Sequence, residues 1–186
     1  MQDKTFADRA VYKVLINAPI DTVWSELIKT SAPRPFFWNS SWDTRDMARG
    51  NAYRMVSSNG KTVAVVGEIL EMDPPHRLVQ SFRLTSLDDP PSTVTYSLKE
   101  TEDGTEFSLI TENIIAGSKS EKSMADGSRF IVENFKAFIE TGKITFGARV
   151  MLSMYALMSP FAPKSMSAEK WPLDEINHGQ FARRDG

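Results

Sequence analysis

Residues 104–142 read GTEFSLITENIIAGSKSEKSMADGSRFIVENFKAFIETG, and within them the apolar spacing changes from every second residue to every third or fourth. Phe107, Leu109 and Thr111 share one side of an extended run over 106–115, as a pleated backbone requires. Ser118-Lys-Ser-Glu121 then has the form of a capping box, which predicts a helix start. Met124, Ile131, Phe135, Phe138 and Ile139 form a helical stripe, and Gly142 suits the left-handed residue that ends a helix. A long amphipathic helix therefore follows directly on a strand.

Upstream the same period of two recurs. Extended runs over 52–57, 61–72, 77–85 and 93–99 are separated by Ser58-Asn59-Gly60, Asp73-Pro74-Pro75 and Asp89-Pro90-Pro91, and Glu102-Asp103-Gly104 leads into 106–115. Five consecutive strands on tight turns predict an antiparallel meander, because parallel neighbours need long crossovers. Before them, 11–17 reads as a strand with Tyr12, Val14 and Ile16 on one side. A helix follows, with Ile20, Val23, Trp24, Leu27 and Ile28 as its stripe and Asp21 in its first turn. An antiparallel sheet with one apolar face needs a cover, and the C-terminal helix supplies it. The expected class is α+β over residues 6–142, with a C-terminal extension over 143–186 that carries one Met-rich helix.

The order of these pieces resembles a known family. Ile16-Asn-Ala-Pro-Ile-Asp-Thr-Val-Trp24 is similar to the opening of the SRPBCC (START-like) superfamily. Gly50-Asn-Ala-Tyr-Arg54, Gly67-Glu-Ile-Leu-Glu-Met-Asp-Pro-Pro-His-Arg-Leu78 and Phe138-Ile-Glu-Thr-Gly142 agree more narrowly with homologues of the activator of the heat-shock-protein-ninety ATPase. The resemblance implies a helix-grip fold, a curved antiparallel sheet wrapped around the C-terminal helix with a cavity between them. It implies a non-enzymatic module that binds a small lipid-like or polyketide-like molecule there, with a chaperone-linked interaction domain or a cyclase-like enzyme as alternatives. No catalytic residues carry over. Where relatives often have an aromatic residue after the glycine of the last helix, this chain has Gly127-Ser128.

Gly127 and Ser128 fall on the buried stripe between Met124 and Ile131, so two small residues face the sheet. Interiors pack densely, so the space opposite them is either a ligand cavity or filled by Tyr96, Phe107 or the Phe36-Phe37-Trp38 cluster; a kink at Gly127 is the third option. The candidate lining is Phe36, Phe37, Trp38, Tyr53, Leu78, Gln80, Phe82, Leu84, Tyr96, Phe107, Leu109, Met124, Gly127, Ser128 and Ile131, with Val94, Leu98 and Thr111 on the same strand faces. Gln80 is the polar member. It either orients a ligand from inside or is turned outward by a bulge.

Composition excludes much else. The 186 residues are 41% hydrophobic and 25% charged, enough for one cored domain, with a net charge of −2 that disfavours nucleic acid as a partner. Absence of cysteine removes disulfides and thiolate metal sites, and two histidines, His76 in a turn and His178 in the tail, leave little for metal or base chemistry. No metal or cofactor is expected. Glu68, Glu71, Glu133 and Glu140 read as solvated surface charge. The N-terminus lacks the apolar run of a secretory signal, and the apolar stretch 144–162 is broken by Gly147, Arg149 and Pro160, which argues against a membrane span and leaves the cytoplasm as the expected location. In the tail, Met151, Met154 and Met158 form a stripe expected to pack on the body or on a second copy of the chain.

Overall fold

The computed structural model describes residues 5–158 and 161–176. Seven strands, β1 (Ala10–Ile16), β2 (Ser40–Thr44), β3 (Ala52–Ser57), β4 (Val63–Asp73), β5 (Arg77–Leu84), β6 (Ser92–Thr101) and β7 (Gly104–Glu112), form one sheet in the order β1-β7-β6-β5-β4-β3-β2. Every neighbouring pair is antiparallel. The meander therefore runs from β2 to β7, and β1 adds to its far edge. Helix α1 (Ile20–Leu27) and a single 3-10 turn at Pro35–Phe37 lie between β1 and β2, so this segment carries the chain from one edge of the sheet to the other. Strand β2 is not among the strands expected from the sequence. Its five residues hold one large apolar side chain, Trp42, among Ser40, Ser41, Asp43 and Thr44, too little alternation to register.

Helix α2 (Lys119–Thr141) packs across the concave face with Met124, Ser128, Ile131, Val132 and Phe135 buried beneath it. The expected capping box forms: Ser118 Oγ accepts from Glu121 N–H at 3.1 Å, and the Glu121 carboxylate reaches back to Gly117 N–H at 2.7 Å. Gly142, at φ 74°, closes the helix by donating to the Phe138 carbonyl at 2.8 Å. Two further bonds tie this end to β1. Asn17 N–H donates to Glu140 Oε1 at 2.8 Å, and Lys136 Nζ donates to the Leu15 carbonyl at 2.6 Å.

The chain beyond α2 does not behave as its composition suggested. Helix α3 (Phe146–Met158) rests on the body through Ala148 and Leu152, while Met154 and Met158 point away from it. Of the two partners expected for the methionine stripe, the body is therefore not the one that covers Met154 and Met158. Residues 161–176 then form a strap on the opposite, outer face of the sheet. Trp171, Ala168, Leu173 and Ile176 cover Val63 and Val66 of β4 and Ala52 and Val56 of β3. Arg54 Nη1 donates to the Trp171 carbonyl at 2.7 Å, and the Arg83 guanidinium lies 5.6 Å from the Trp171 ring. The strap gives the outer face at these strands an apolar cover, which is why Val63 and Val66 are buried on the side away from α2.

Candidate functional site

Strand pairing sets the wall of the grip row by row. Gln80, Val94 and Thr111 align across β5, β6 and β7; Leu78, Tyr96 and Leu109 form the next row, then Leu98 and Phe107. All eight are buried. Gln80 is 1% exposed and pairs with Val94 of the core, so it faces inward, and register slips lie instead in β4 between Ile69 and Glu71 and in β3 between Met55 and Val56. Phe82 and Leu84, further along β5, are only half-buried.

The loop between α1 and β2 supplies the rings that enter this space. Arg34, 7% exposed, holds the loop: its N–H donates to the Ser40 carbonyl at 2.8 Å and its own carbonyl accepts from Phe37 N–H at 3.0 Å. The Arg34 guanidinium meets the Glu26 carboxylate of α1 at 3.0 Å, without the alignment of a hydrogen bond. Nothing in the sequence marked Arg34 for burial.

From that anchor a chain of ring contacts crosses the interior. Tyr53 meets Trp42 (5.1 Å between centroids), Trp42 meets Phe37 (5.6 Å) and Phe37 meets Tyr96 (6.3 Å). Tyr96 stacks on Phe107 (6.1 Å), which meets Phe135 of α2 edge-on (4.9 Å), and Phe135 meets Phe36 (4.7 Å). Such pairs each contribute about 0.5–1.5 kcal/mol beyond burial of their surface. The grip is thus filled by aromatic packing.

The space opposite Gly127 is filled as well. A Cβ at Gly127 would stand 3.2 Å from Trp38 Cη2, and the indole stacks on Phe130 at 4.6 Å with an 18° angle between the ring planes. The expected hollow is therefore occupied by Trp38, one ring of the Phe36-Phe37-Trp38 cluster. Trp38 itself is unusual. Its backbone lies in the left-handed region at φ 52°, where a bulky residue is strained, and its side chain remains 36% exposed. Two surface depressions lie elsewhere: one of about 470 Å³ beside Lys13, Leu15, Thr101 and Asp103, and one of about 180 Å³ beside Lys170 and Trp171 on the strap.

Polar groups in the interior are few. Tyr53 donates its hydroxyl to the Ser81 carbonyl at 2.8 Å. Tyr96 hydrogen-bonds the Gln80 side chain, whereas Gln80 Oε1 is buried with no partner among the described residues. Burial pushes both phenols well above the ordinary tyrosine range, so neither serves as a base at neutral pH. Ser128 is 4% exposed on α2. His76 is exposed in the β4–β5 turn, as expected, and His178 lies outside the described residues. Among the described residues no group of three histidines or acids is placed to hold a metal ion, and no helix is long and apolar enough to cross a membrane.

A curved antiparallel sheet closed around one long C-terminal helix, with α1 bridging its edges, is the helix-grip class. Within that class the chain belongs to the family described as activator of Hsp90 ATPase homolog 1-like protein, which matches residues 17–140. Solved structures share the fold at low identity. CalU16 from Micromonospora echinospora is 21% identical, with 81% of this chain and 84% of that one covered at a TM-score of 0.55. ChR145 from Cytophaga hutchinsonii is 23% identical, with 74% and 97% covered at 0.57. PFC0360w, an HSP90 activator from Plasmodium falciparum, is 17% identical, with 79% and 97% covered at 0.54. No curated protein matches the chain.

Proposed function

We propose that the protein binds a small apolar molecule without catalysis, in a space between sheet and α2 that opens when Trp38 leaves its seat over Gly127. The observation that carries the reading is Trp38 itself: a strained, one-third exposed indole that fills the notch left by a glycine. Strain of this kind costs about 1–3 kcal/mol, and a backbone rearrangement at Trp38 and Asn39 that withdraws the indole would relieve it. Gln80 supports the reading from the opposite wall, because an unpartnered buried carbonyl oxygen costs about 1–3 kcal/mol and a ligand hydroxyl or amide N–H would satisfy it. The ligand class is then an apolar skeleton with one hydrogen-bond donor. Native mass spectrometry before and after organic extraction, with titration of a fluorescent fatty acid, tests it. Binding is expected in the wild type, stronger in Trp38→Ala and weaker in Gln80→Leu. No co-purifying molecule and no probe binding in either the wild type or Trp38→Ala would overturn the proposal.

A second reading is a chaperone-linked interaction domain that works through its outside. The filled grip favours it, and so does the family, whose description names Hsp90 ATPase activation. Its assay is stimulation of ATP hydrolysis by an Hsp90-class chaperone, and an unchanged rate at saturating protein counts against it.

A further inference from the structure

Helix α3 holds the body with one side and leaves the other bare. Asn134, in the middle of α2, accepts from Thr145 N–H and Thr145 Oγ1 at 3.0 Å each, and Thr145 Oγ1 accepts from Ala148 N–H at 3.3 Å. The first turn of α3 is thereby pinned, and Ala148 and Leu152 seal the contact. At about 100° per residue, Phe146, Val150, Met154, Leu157 and Met158 fall within an arc of roughly 120° that avoids both buried positions. They are 73%, 46%, 63%, 78% and 60% exposed, and Tyr155 borders them at 60%. At roughly 150–250 Å² for each fully exposed aromatic residue and somewhat less for each aliphatic one, these exposures give the face about 700 Å². The largest apolar patch on a monomer is typically about 300–600 Å², whereas a stable interface buries about 600–1,000 Å² from each partner.

We infer that this face pairs with the same face of a second copy of the chain, α3 against α3 and antiparallel, about a two-fold axis near Met154. The area matches what a dimer needs, and the charge pattern selects the occupant. Arg149 is the one charged residue between Phe146 and Met158. A face without charge meets its own copy with no like-charge repulsion across it, and α3 lacks the row of lysines and arginines that a helix lying on a membrane uses. It is complementary to itself. In the antiparallel pair the two Arg149 residues stand about 15 Å apart along the axis, beyond the screening length of about 8 Å at physiological salt. Methionine at the centre adapts to its copy, as an isologous contact requires.

The inference rests on α3 and is independent of ligand binding in the grip. Size-exclusion chromatography with light scattering, on the full chain from about 1 to 100 µM, reads the outcome. The expected mass is twice 20.9 kDa, falling to the single-chain value in Met154→Glu and in Leu157→Glu with unchanged circular dichroism. Mixing Met154→Glu with Met154→Lys restores the doubled mass. A single-chain mass for the wild type across that range overturns the inference, as does a dimer that survives both glutamate variants. A wild type that is single and sediments with phosphatidylglycerol vesicles assigns the face to lipid instead, and overturns it equally.

Discussion

Gly127→Ala stabilises the protein if Trp38 is a movable plug. Alanine is favoured over glycine in a helix interior by about 0.8–1.0 kcal/mol, mainly through the entropy of the unfolded chain. Against this stands one contact. The new Cβ would lie 3.2 Å from Trp38 Cη2, with the next atom, Trp38 Cζ2, already at an ordinary 3.8 Å. Relief needs a few tenths of an ångström at the far end of an indole, a swing of about five degrees. A deviation of about 30° costs about 0.5–1.5 kcal/mol, and the cost grows steeply with angle, so five degrees is negligible. The indole has solvent on one side and only Phe130 stacked on it, so room to move exists. Net stabilisation of about 0.5–1 kcal/mol is expected, which raises Tm by about 1–4 °C for a chain of this size. Urea unfolding followed by circular dichroism measures it. A loss of more than about 0.5 kcal/mol would show that Trp38 is locked in place, and the plug of the proposed function would fail with it.

Three other substitutions read separate parts of the fold. Gly67→Ala places a Cβ inside the Ser81 carbonyl oxygen and 2.8 Å from Tyr53 Cε1, both fixed by the sheet, so a loss above about 4 kcal/mol or failure to fold is expected in denaturation and expression trials. Ser118→Ala removes the acceptor for Glu121 N–H and costs about 1 kcal/mol, seen as a lower urea midpoint with unchanged slope. The Glu140 carboxyl is held below its ordinary range by Asn17 N–H and then by Lys136. Its contribution is present above the ordinary carboxylate range and is lost as pH falls through the depressed value. The midpoint difference between wild type and Glu140→Gln therefore shrinks as pH falls from about 7 through that depressed value, and a constant difference refutes the assignment.

What could be read from the chain is what repeats locally. Alternation in 93–99 and 106–115 placed Tyr96, Leu98, Phe107 and Leu109 on one face, and the 3.6 period with Ser118 and Gly142 placed α2, because each pattern is fixed by backbone geometry alone. Family membership followed from the same pieces in order. Three matters needed the tertiary structure. Which ring occupies the notch at Gly127 depends on Trp38, almost ninety residues earlier, brought there by a loop anchored through the buried Arg34. The strap of 161–176 looked like polar tail, since its few apolar residues gain a partner only from the outer faces of β3 and β4. The exposed side of α3 was decided by Asn134, which fixes where the helix starts and so which of its apolar residues, Leu152 or Met154, meets the body. Local periodicity determines which side chains share a face; contacts between distant segments decide what that face meets.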